Sequence, residues 1–412
     1  MLKTLAIKPS ITWLNSIMIG LLGFSFLFSV ALGNILLFLI LLLWLVEGDF
    51  SRKYDAVKNN VLIHAVFCFF GLHLLGLLWT SDWSLAGFVL KKEMKYLMLP
   101  ILMTALLKEH FYYYFGSFLL AMLIMVGISY GLYFNVIPYY QFLSIRDATD
   151  PIPFVHHIVY TPVLAFALYF LLYALFLSNQ VNGVYKKMGI GITLIMGINL
   201  FLNGGRAGQI VFLVLLVLFV FQYFAGDLKK SLMISLLAVS CIVPSAYFLS
   251  SSVNHRVQQA IQEIDHYEDN PNTSAGLRVV MVLNSLKIIE QHPLLGVGTG
   301  DYKQEYAKVS QIHSPDATQG EVFTHPHNVY IEEMVNFGVF GLAVLLYMFY
   351  AMFALYKRSV SVLKPVLLAF PLFYAVIFLS DGYIMNHYLT IFFLFFAAIL
   401  YSGKWDGEKK IT

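Results

Sequence analysis

The sequence is poor in charged residues and in cysteine. Lysine, arginine, aspartate and glutamate make up 12% of its 412 residues, whereas soluble globular proteins carry about 25%. An ordinary soluble enzyme is therefore excluded. The formal net charge of +3 offers no basic field for nucleic acid, so we expect no nucleic-acid partner. The two cysteines, Cys68 and Cys241, lie in apolar runs and exclude a disulfide framework or a four-thiolate metal site.

Long apolar runs occupy most of the chain. Hydrophobic residues make up 59% of the sequence, and a transmembrane helix needs about 20 such residues in succession. The pattern predicts an all-α polytopic membrane protein of about twelve transmembrane helices, forming one integral membrane domain over residues 1–412. The predicted spans are residues 11–28, 30–46, 61–79, 89–107, 112–135, 154–177, 188–203, 208–225, 231–250, 327–356, 362–380 and 384–402.

Lysine and arginine are distributed unevenly among the predicted loops. If both ends of the chain are inside, the cytoplasmic side holds sixteen of the 26 lysines and arginines. Cytoplasmic loops carry the excess of these residues in membrane proteins. We therefore expect both termini in the cytoplasm.

Residues 251–326 form the one long polar connection and should fold over the outer surface. Within it, residues 277–290 have apolar side chains at helical spacing, which predicts an amphipathic helix lying on the membrane or on the bundle. The predicted apolar face consists of Val279, Val282, Leu283, Leu286 and Ile289. The glycines at positions 296, 298 and 300 predict a turn, because the pattern of a phosphate-binding loop is incomplete.

Ionisable residues gather at the predicted outer ends of the spans. They are Lys91, Lys92, Lys95, Arg206, Arg278, His325, His327 and Asp381. Ion-coupled transporters place such groups at mid-membrane depth, so a coupled pump is disfavoured. Arginine has a planar fork of donors that matches phosphate oxygens, and a neutral histidine can accept a proton from a hydroxyl. This combination predicts transfer of a group from a lipid phosphate to an alcohol, with His327 activating the alcohol.

Three segments resemble a known family. Residues 325–341, HPHNVYIEEMVNFGVFG, contain a His-Asn pair, nine residues and then Gly-x-x-Gly, which is similar to the signature of the bacterial O-antigen ligase and O-antigen polymerase superfamily. Arg206 in NGGRAG and Arg278, followed by LLGVG, agree with the family in order and spacing. The resemblance covers residues 195–345. The first half of the chain resembles the family only in being hydrophobic.

The resemblance implies both an architecture and a reaction. The architecture is that of GT-C-like glycosyltransferases. The reaction is transfer of a glycan from undecaprenyl pyrophosphate to a lipid A core sugar hydroxyl, with inversion and without a metal or other cofactor. The active site would face the periplasm at the bacterial inner membrane, among membrane lipids.

The resemblance also assigns roles to individual residues. His327 would be the general base, Arg206 and Arg278 the pyrophosphate and catalytic arginines, and His325 a supporting residue. Further candidates for substrate binding are Asn328 in the same motif, Lys91, Lys92, Lys95 and Asp381.

Several alternatives remain open at this stage. Within the superfamily they are an O-antigen polymerase and a protein O-oligosaccharyltransferase, and outside it a lipid-linked glycan flippase or transporter. The residues also have structural interpretations. His325, His327 and Asn328 could belong to a helix cap, and the three lysines could anchor a span at the membrane interface.

Overall fold

In this computed structural model, all regular elements of the described residues are helices. These residues are 10–138, 151–178, 180–249, 251–266, 269–317 and 323–406. The α-helices in chain order are α1 (Ile11–Ser25), α2 (Val30–Glu47), α3 (Phe50–Val57), α4 (Val61–Leu75), α5 (Trp83–Glu93), α6 (Leu99–Ala105), α7 (Phe111–Tyr133), α8 (His157–Leu172), α9 (Gly183–Leu202), α10 (Arg206–Tyr223), α11 (Leu228–Leu249), α12 (Ser251–Asp265), α13 (Ser274–Gln291), α14 (Tyr302–His313), α15 (Val329–Arg358), α16 (Lys364–Ile377) and α17 (His387–Tyr401). The all-α prediction is confirmed over the described ranges.

Many of these helices can cross a bilayer. Eight helical segments in the described part of the chain are long and apolar enough to do so, and three shorter apolar helices are α1, α16 and α17. A helix satisfies its own backbone hydrogen bonds, so it can enter the hydrocarbon core. The protein is therefore a multi-pass membrane protein. The count of twelve spans and their orientation remain predictions.

The prediction of one continuous helix over residues 89–107 is wrong. The chain forms α5, a 3-10 turn over Met94–Met98, and then α6. Pro100 stands in the first turn of α6, where its missing N–H costs no intrahelical hydrogen bond. At the end of α5, Glu93 Oε1 lies 3.0 Å from His73 Nε2 of α4. The break therefore turns a carboxylate into the bundle.

The first and last described helices meet at the same end of the bundle. The Trp13 ring of α1 lies 5.8 Å from the His110 ring, which stands just before α7. Lys404, after α17, donates from Nζ to the carbonyl of Leu106. This arrangement is consistent with an even number of crossings. Residues 1–9 and 407–412 lie outside the described residues, so the cytoplasmic placement of the termini remains a prediction.

An aromatic cluster lies at the centre of the bundle. The Phe166 ring of α8 packs against Phe370 and Phe373 of α16 and against Phe392 and Phe396 of α17, with centroid distances of 4.9–5.8 Å. In a membrane, helices associate through such close packing rather than through exclusion of water. The cluster holds the connection between α16 and α17 in place beside the start of α8.

The predicted helix in the long connection is confirmed as α13, which lies on the bundle against α15. Its predicted apolar face is wrong in part. Leu283 and Leu286 are 46% and 43% exposed, whereas Val280, Met281 and Ile288 are buried. The packed face is therefore rotated from the one that apolar spacing indicated.

Two polar residues explain this rotation. Asn284 and Ser285 are buried between α13 and α14. Asn284 Nδ2 donates to Tyr306 Oη, and Ser285 Oγ hydrogen-bonds to Tyr302 Oη. A polar group that keeps its hydrogen bonds is buried at little cost. Tertiary partners therefore decided which face of α13 turns inward.

The glycine-rich segment after α13 forms the expected turn. Gly296, Gly298 and Gly300 have φ values of 63°, 100° and 90°, in the region that favours glycine. The N–H groups of Val297 and Gly298 donate to carbonyls of α15. A side chain at position 300 would strike the backbone of Ala86 in α5. The turn therefore fits between α5 and α15.

The Gly-x-x-Gly pair of α15 makes room for the segment that follows α13. Helix α15 is interrupted at Gly338, where φ is 59°. There the N–H of Val339 donates to the carbonyl of Pro293 instead of to its own helix. A side chain at Gly338 would strike the Leu294 backbone, and one at Gly341 the carbonyl of Glu333. This part of the motif has a structural role.

Candidate active site

A cleft opens beside the start of α15. Its volume is about 520 Å³, within the range of roughly 300–1,000 Å³ that is typical of small-molecule sites. It is bounded by α5, by α15 and by the connection between α16 and α17. His325, Asp381 and Lys92 line it, and His327 adjoins it through contacts with the first two. Four residues selected from the sequence are thus brought together.

The backbone at the start of α15 brings His327 to Asp381. The N–H of Val329 donates to the carbonyl of Phe378. This hydrogen bond joins the start of α15 to the connection between α16 and α17. His327 itself has φ 52°, a conformation that is uncommon for a residue other than glycine. In this position its Nδ1 lies 2.9 Å from Asp381 Oδ1. The sequence suggested Asp381 only as a candidate, without this partner.

The carboxylate of Asp381 determines which nitrogen of His327 is basic. An ionised carboxylate can only accept, so Nδ1–H of the imidazole donates to it and the neutral ring keeps its lone pair on Nε2. Burial opposes ionisation of Asp381. However, the hydrogen bond and charge of His327 and the N–H of Gly382 outweigh it and hold the pKa of Asp381 below its usual range. The His327 side chain is 27% exposed, so a substrate can reach it.

His325 supports His327 as a neutral residue. The backbone N–H of His327 donates to His325 Nδ1 at 3.3 Å, and the two rings lie 4.4 Å apart. Burial, reinforced by the neighbouring charges of His327 and Lys92, lowers the pKa of His325 to about 4. At neutral pH the ring is therefore uncharged and offers its Nε2–H as a donor. It does not act there as a cation for phosphate.

Arg206 begins α10, which packs tightly against α8. The backbone of Gly205 approaches Thr161 of α8 so closely that a side chain at position 205 would overlap the Thr161 hydroxyl. Tyr383, which lines the cleft, donates from its hydroxyl to the carbonyl of Ile158 in the first turn of α8. The glycines of the NGGRAG segment thus bring Arg206 to the helix whose first turn borders the cleft.

Arg278 reaches the same region from α13. Burial raises the pKa of the Tyr383 phenol, and the positive charge of Arg278 opposes this shift, so the two side chains are electrostatic neighbours. Arg278 is partly buried. Arg278 is therefore near Tyr383, whereas Arg206 begins a helix that packs on α8, and neither arginine is among the residues that line the cleft.

The three lysines have different surroundings. Lys92 lines the cleft with its Nζ 4.4 Å from the centre of the Phe88 ring, Lys95 Nζ lies 2.7 Å from His387 Nδ1, and Lys91 is exposed. Asn328 caps α15, because its Oδ1 accepts the N–H of Ile331. The capping interpretation thus holds for Asn328. Substrate contacts of all four residues remain predictions.

Sequence reasoning missed a set of buried ionisable residues. His73 of α4 lies between Glu93 of α5 and Glu333 of α15, and the side chains of all three are 1–2% exposed. Glu332 is also buried, and both it and Glu333 line the cleft. The sequence signal was present, because carboxylates in predicted spans are rare and functional. The cleft therefore carries buried carboxyl groups in addition to the residues selected from the sequence.

His325, His327 and Asp381 also have the composition of a metal site. In the part of the chain that the structure describes, these three residues offer ligand atoms within 4.8 Å of one another. Two histidines and a carboxylate suit zinc or iron. In the observed arrangement, however, the proton on His327 Nδ1 occupies one Asp381 oxygen. The two uses of the triad are therefore alternatives.

Comparison with known proteins supports the resemblance inferred from the motifs. Residues 191–346 match the family model described as O-antigen ligase, a segment that holds Arg206, Arg278, His325 and His327. The chain is also 31% identical over 152 residues to an uncharacterized protein of Haemophilus influenzae. This match covers 35% of the chain and 37% of that protein, so the chain spans little more than a third of its relative.

Proposed function

We propose that this chain, a member of the O-antigen ligase/polymerase superfamily, is an O-antigen ligase. It would transfer a glycan from undecaprenyl pyrophosphate to a sugar hydroxyl of the lipid A core, at the periplasmic face of the bacterial inner membrane. The observation that carries the proposal is the hydrogen bond from His327 Nδ1 to Asp381 Oδ1, which leaves a basic Nε2 beside a cleft. A purely binding protein has no need of such a base.

The proposed reaction is a single displacement. The acceptor hydroxyl attacks the anomeric carbon of the donor sugar while its proton passes to His327 Nε2. The bond from that carbon to the pyrophosphate oxygen breaks, and the electron pair leaves with the pyrophosphate. Attack from the face opposite the leaving group inverts the anomeric configuration. Asp381 stabilises the imidazolium that forms, as a carboxylate beside a catalytic histidine does.

The arginines would serve the leaving group. Arg206 and Arg278 are permanently charged and present forked donors to phosphate oxygens. The donor pyrophosphate would therefore lie toward Tyr383, beside Arg278 and the first turn of α8, the helix against which α10 with Arg206 packs. Stabilising charge that develops during bond breaking lowers the barrier, because the donors are in position before the reaction.

With two arginines in this role, the reaction should need no divalent metal. Purified protein in detergent, supplied with both lipid substrates, is expected to transfer glycan at an undiminished rate in excess chelator. The measurement is the yield of lipid-linked product on a gel, with and without added magnesium, manganese or zinc. Activity that disappears with chelator and returns with one metal would instead assign His325, His327 and Asp381 as its ligands.

Deletion of the gene tests the function in the cell. We expect the lipopolysaccharide gel to lose every long-chain band while glycan accumulates on the carrier lipid. A core that still carries a single repeat unit would identify a polymerase. Unchanged lipopolysaccharide with loss of a glycoprotein would identify a protein acceptor, and glycan trapped on the cytoplasmic leaflet would identify a flippase.

A further inference from the structure

The floor of the cleft carries buried carboxylates that the proposed reaction does not use. Glu93, Glu332, Glu333 and Asn336 all line the cleft. The three glutamates are only 1–2% exposed. The Oε2 atom of each glutamate is buried without a hydrogen-bond partner. The same is true of the Oδ1 atom of Asn336. A buried acceptor without a partner costs about 1–3 kcal/mol, and more when it is charged.

His73 lies next to two of these glutamates, on the side of their Oε1 atoms. Its Nδ1 donates to the carbonyl of Phe69, and its Nε2 lies 3.0 Å from Glu93 Oε1 and 4.0 Å from Glu333 Oε1. The contact with Glu93 requires a proton between the two groups, whichever of them carries it. His73 therefore holds Glu93 through its Oε1, while Glu333 Oε1 lies beyond hydrogen-bond distance, and the Oε2 atoms of both glutamates have no protein partner.

The chemistry of the floor selects among ligands. A pyrophosphate offers only acceptor oxygens, so it cannot pair with the unpartnered Oδ1 of Asn336 or with an ionised carboxylate, and it does not belong here. A metal ion needs converging ligand atoms, and the one potential metal-binding group in the described residues, His325, His327 and Asp381, does not include these glutamates. Sugar hydroxyls, in contrast, are donors. They pair with amide oxygens and with the oxygens of a carboxyl group, whether that group is neutral or ionised.

The floor also adjoins the proposed base. A methyl group placed on Gly382 would lie 3.1 Å from His325 Nδ1 and 3.3 Å from Glu332 Oε2, so both side chains contact the same glycine. Lys92 is near enough to attract Glu332. A sugar held by Glu332 would therefore lie next to the two histidines.

We propose that Glu332, with Glu93 and Asn336, forms a saccharide-binding subsite that pairs with hydroxyl groups of the sugar next to the reacting bond. The subsite rests on the proposed ligase function for its role in transfer. Its ligand chemistry, a polyhydroxylated sugar ring, could come from the core acceptor or from the first sugar of the donor. His73 is in contact with the subsite through its hydrogen bond to Glu93.

The first experiment measures binding without turnover. Free core oligosaccharide and free O-antigen repeat oligosaccharide, both released from lipid, are titrated by calorimetry into the full-length protein in detergent. One of them should bind to wild type about 10-fold or more tightly than to Glu332→Gln or Asn336→Ala. The alanine variant loses a hydrogen bond to the sugar, and the glutamine variant forms a weaker one. Glu290→Gln is the matched control, because Glu290 is exposed and ion-paired with Lys287 on α13.

The second experiment separates KM from kcat in glycan transfer. Glu332→Gln should raise KM for the lipid substrate whose sugar binds the subsite, by about 10-fold, and change kcat less. A raised acceptor KM assigns the core sugar, and a raised donor KM assigns the donor sugar. Unchanged oligosaccharide affinity and unchanged KM values in both variants, in protein that remains monodisperse, would overturn the subsite and leave the ligase proposal intact.

The opposite failure is also distinguishable. If the protein transfers no glycan but binds an oligosaccharide in a manner that depends on Glu332, the subsite stands and the ligase proposal falls. If Glu332→Gln fails to fold, Asn336→Ala supplies the same two measurements from a neutral residue. Retention of wild-type affinity in Asn336→Ala would then count against the subsite.

Discussion

Replacing His327 with alanine should lower the rate of glycan transfer by about 10²- to 10⁴-fold, the usual contribution of a positioned general base. A sugar hydroxyl is a poor nucleophile until its proton is taken, and His327 Nε2 is the group oriented to take it. Donor binding should change little, because the arginines remain. The measurement is kcat with purified protein, together with the affinity for carrier-linked glycan.

Two further variants separate basicity from position. His327→Gln keeps a side chain that can hydrogen-bond but cannot take up the proton, so it should be almost as slow as the alanine variant. His325→Ala should lose less activity, because His325 supports His327 and is not the base. A His327→Gln protein that turned over at nearly the wild-type rate would show that His327 only orients or caps.

Replacing Asp381 with asparagine should slow transfer by roughly 10²-fold or more, although the side chain is nearly the same size. Asp381 Oδ1 accepts from both His327 Nδ1 and the N–H of Gly382, so an asparagine would keep its amide oxygen in that place. The variant then lacks the negative charge that stabilises the imidazolium formed when His327 takes up the proton. The effect should appear in kcat, with the KM of both lipid substrates largely unchanged.

The control for this variant is Asp316→Asn, a substitution of an exposed aspartate in the 3-10 turn after α14. It should leave kcat and thermal stability unchanged. Asp381→Asn should also remain folded, because the N–H of Gly382 can bond to an amide oxygen as well as to a carboxylate. Near wild-type turnover in a stable Asp381→Asn protein would show that the negative charge of Asp381 has no part in the mechanism.

Much of the candidate site could be predicted from linear order. The segment from His325 to Gly341 is local, so the position of His327 before a helix and of the glycine pair after it could be inferred from spacing. The role of the glycine pair was less accessible. At Gly338 the helix α15 is interrupted, and the next N–H bonds to the carbonyl of Pro293. Nothing near Gly338 in the sequence indicates that partner.

Contacts between distant segments could not be predicted in the same way. Asp381 lies 54 residues after His327 and meets it only because the N–H of Val329 bonds to the carbonyl of Phe378. The grouping of His73, Glu93 and Glu333 joins three helices. No periodicity relates positions on separate helices, since their rotation and depth depend on packing.

The sequence by itself determined the solvent in which this protein folds and the elements that it forms. Apolar runs must enter the membrane, and in hydrocarbon a single chain segment satisfies its backbone only as a helix. The tertiary structure decided the inward face of α13, the break between α5 and α6, and the partners of His327 and His73. The physical reason is that burial of a polar group depends on a hydrogen-bonding partner, and here each partner comes from another helix or connection.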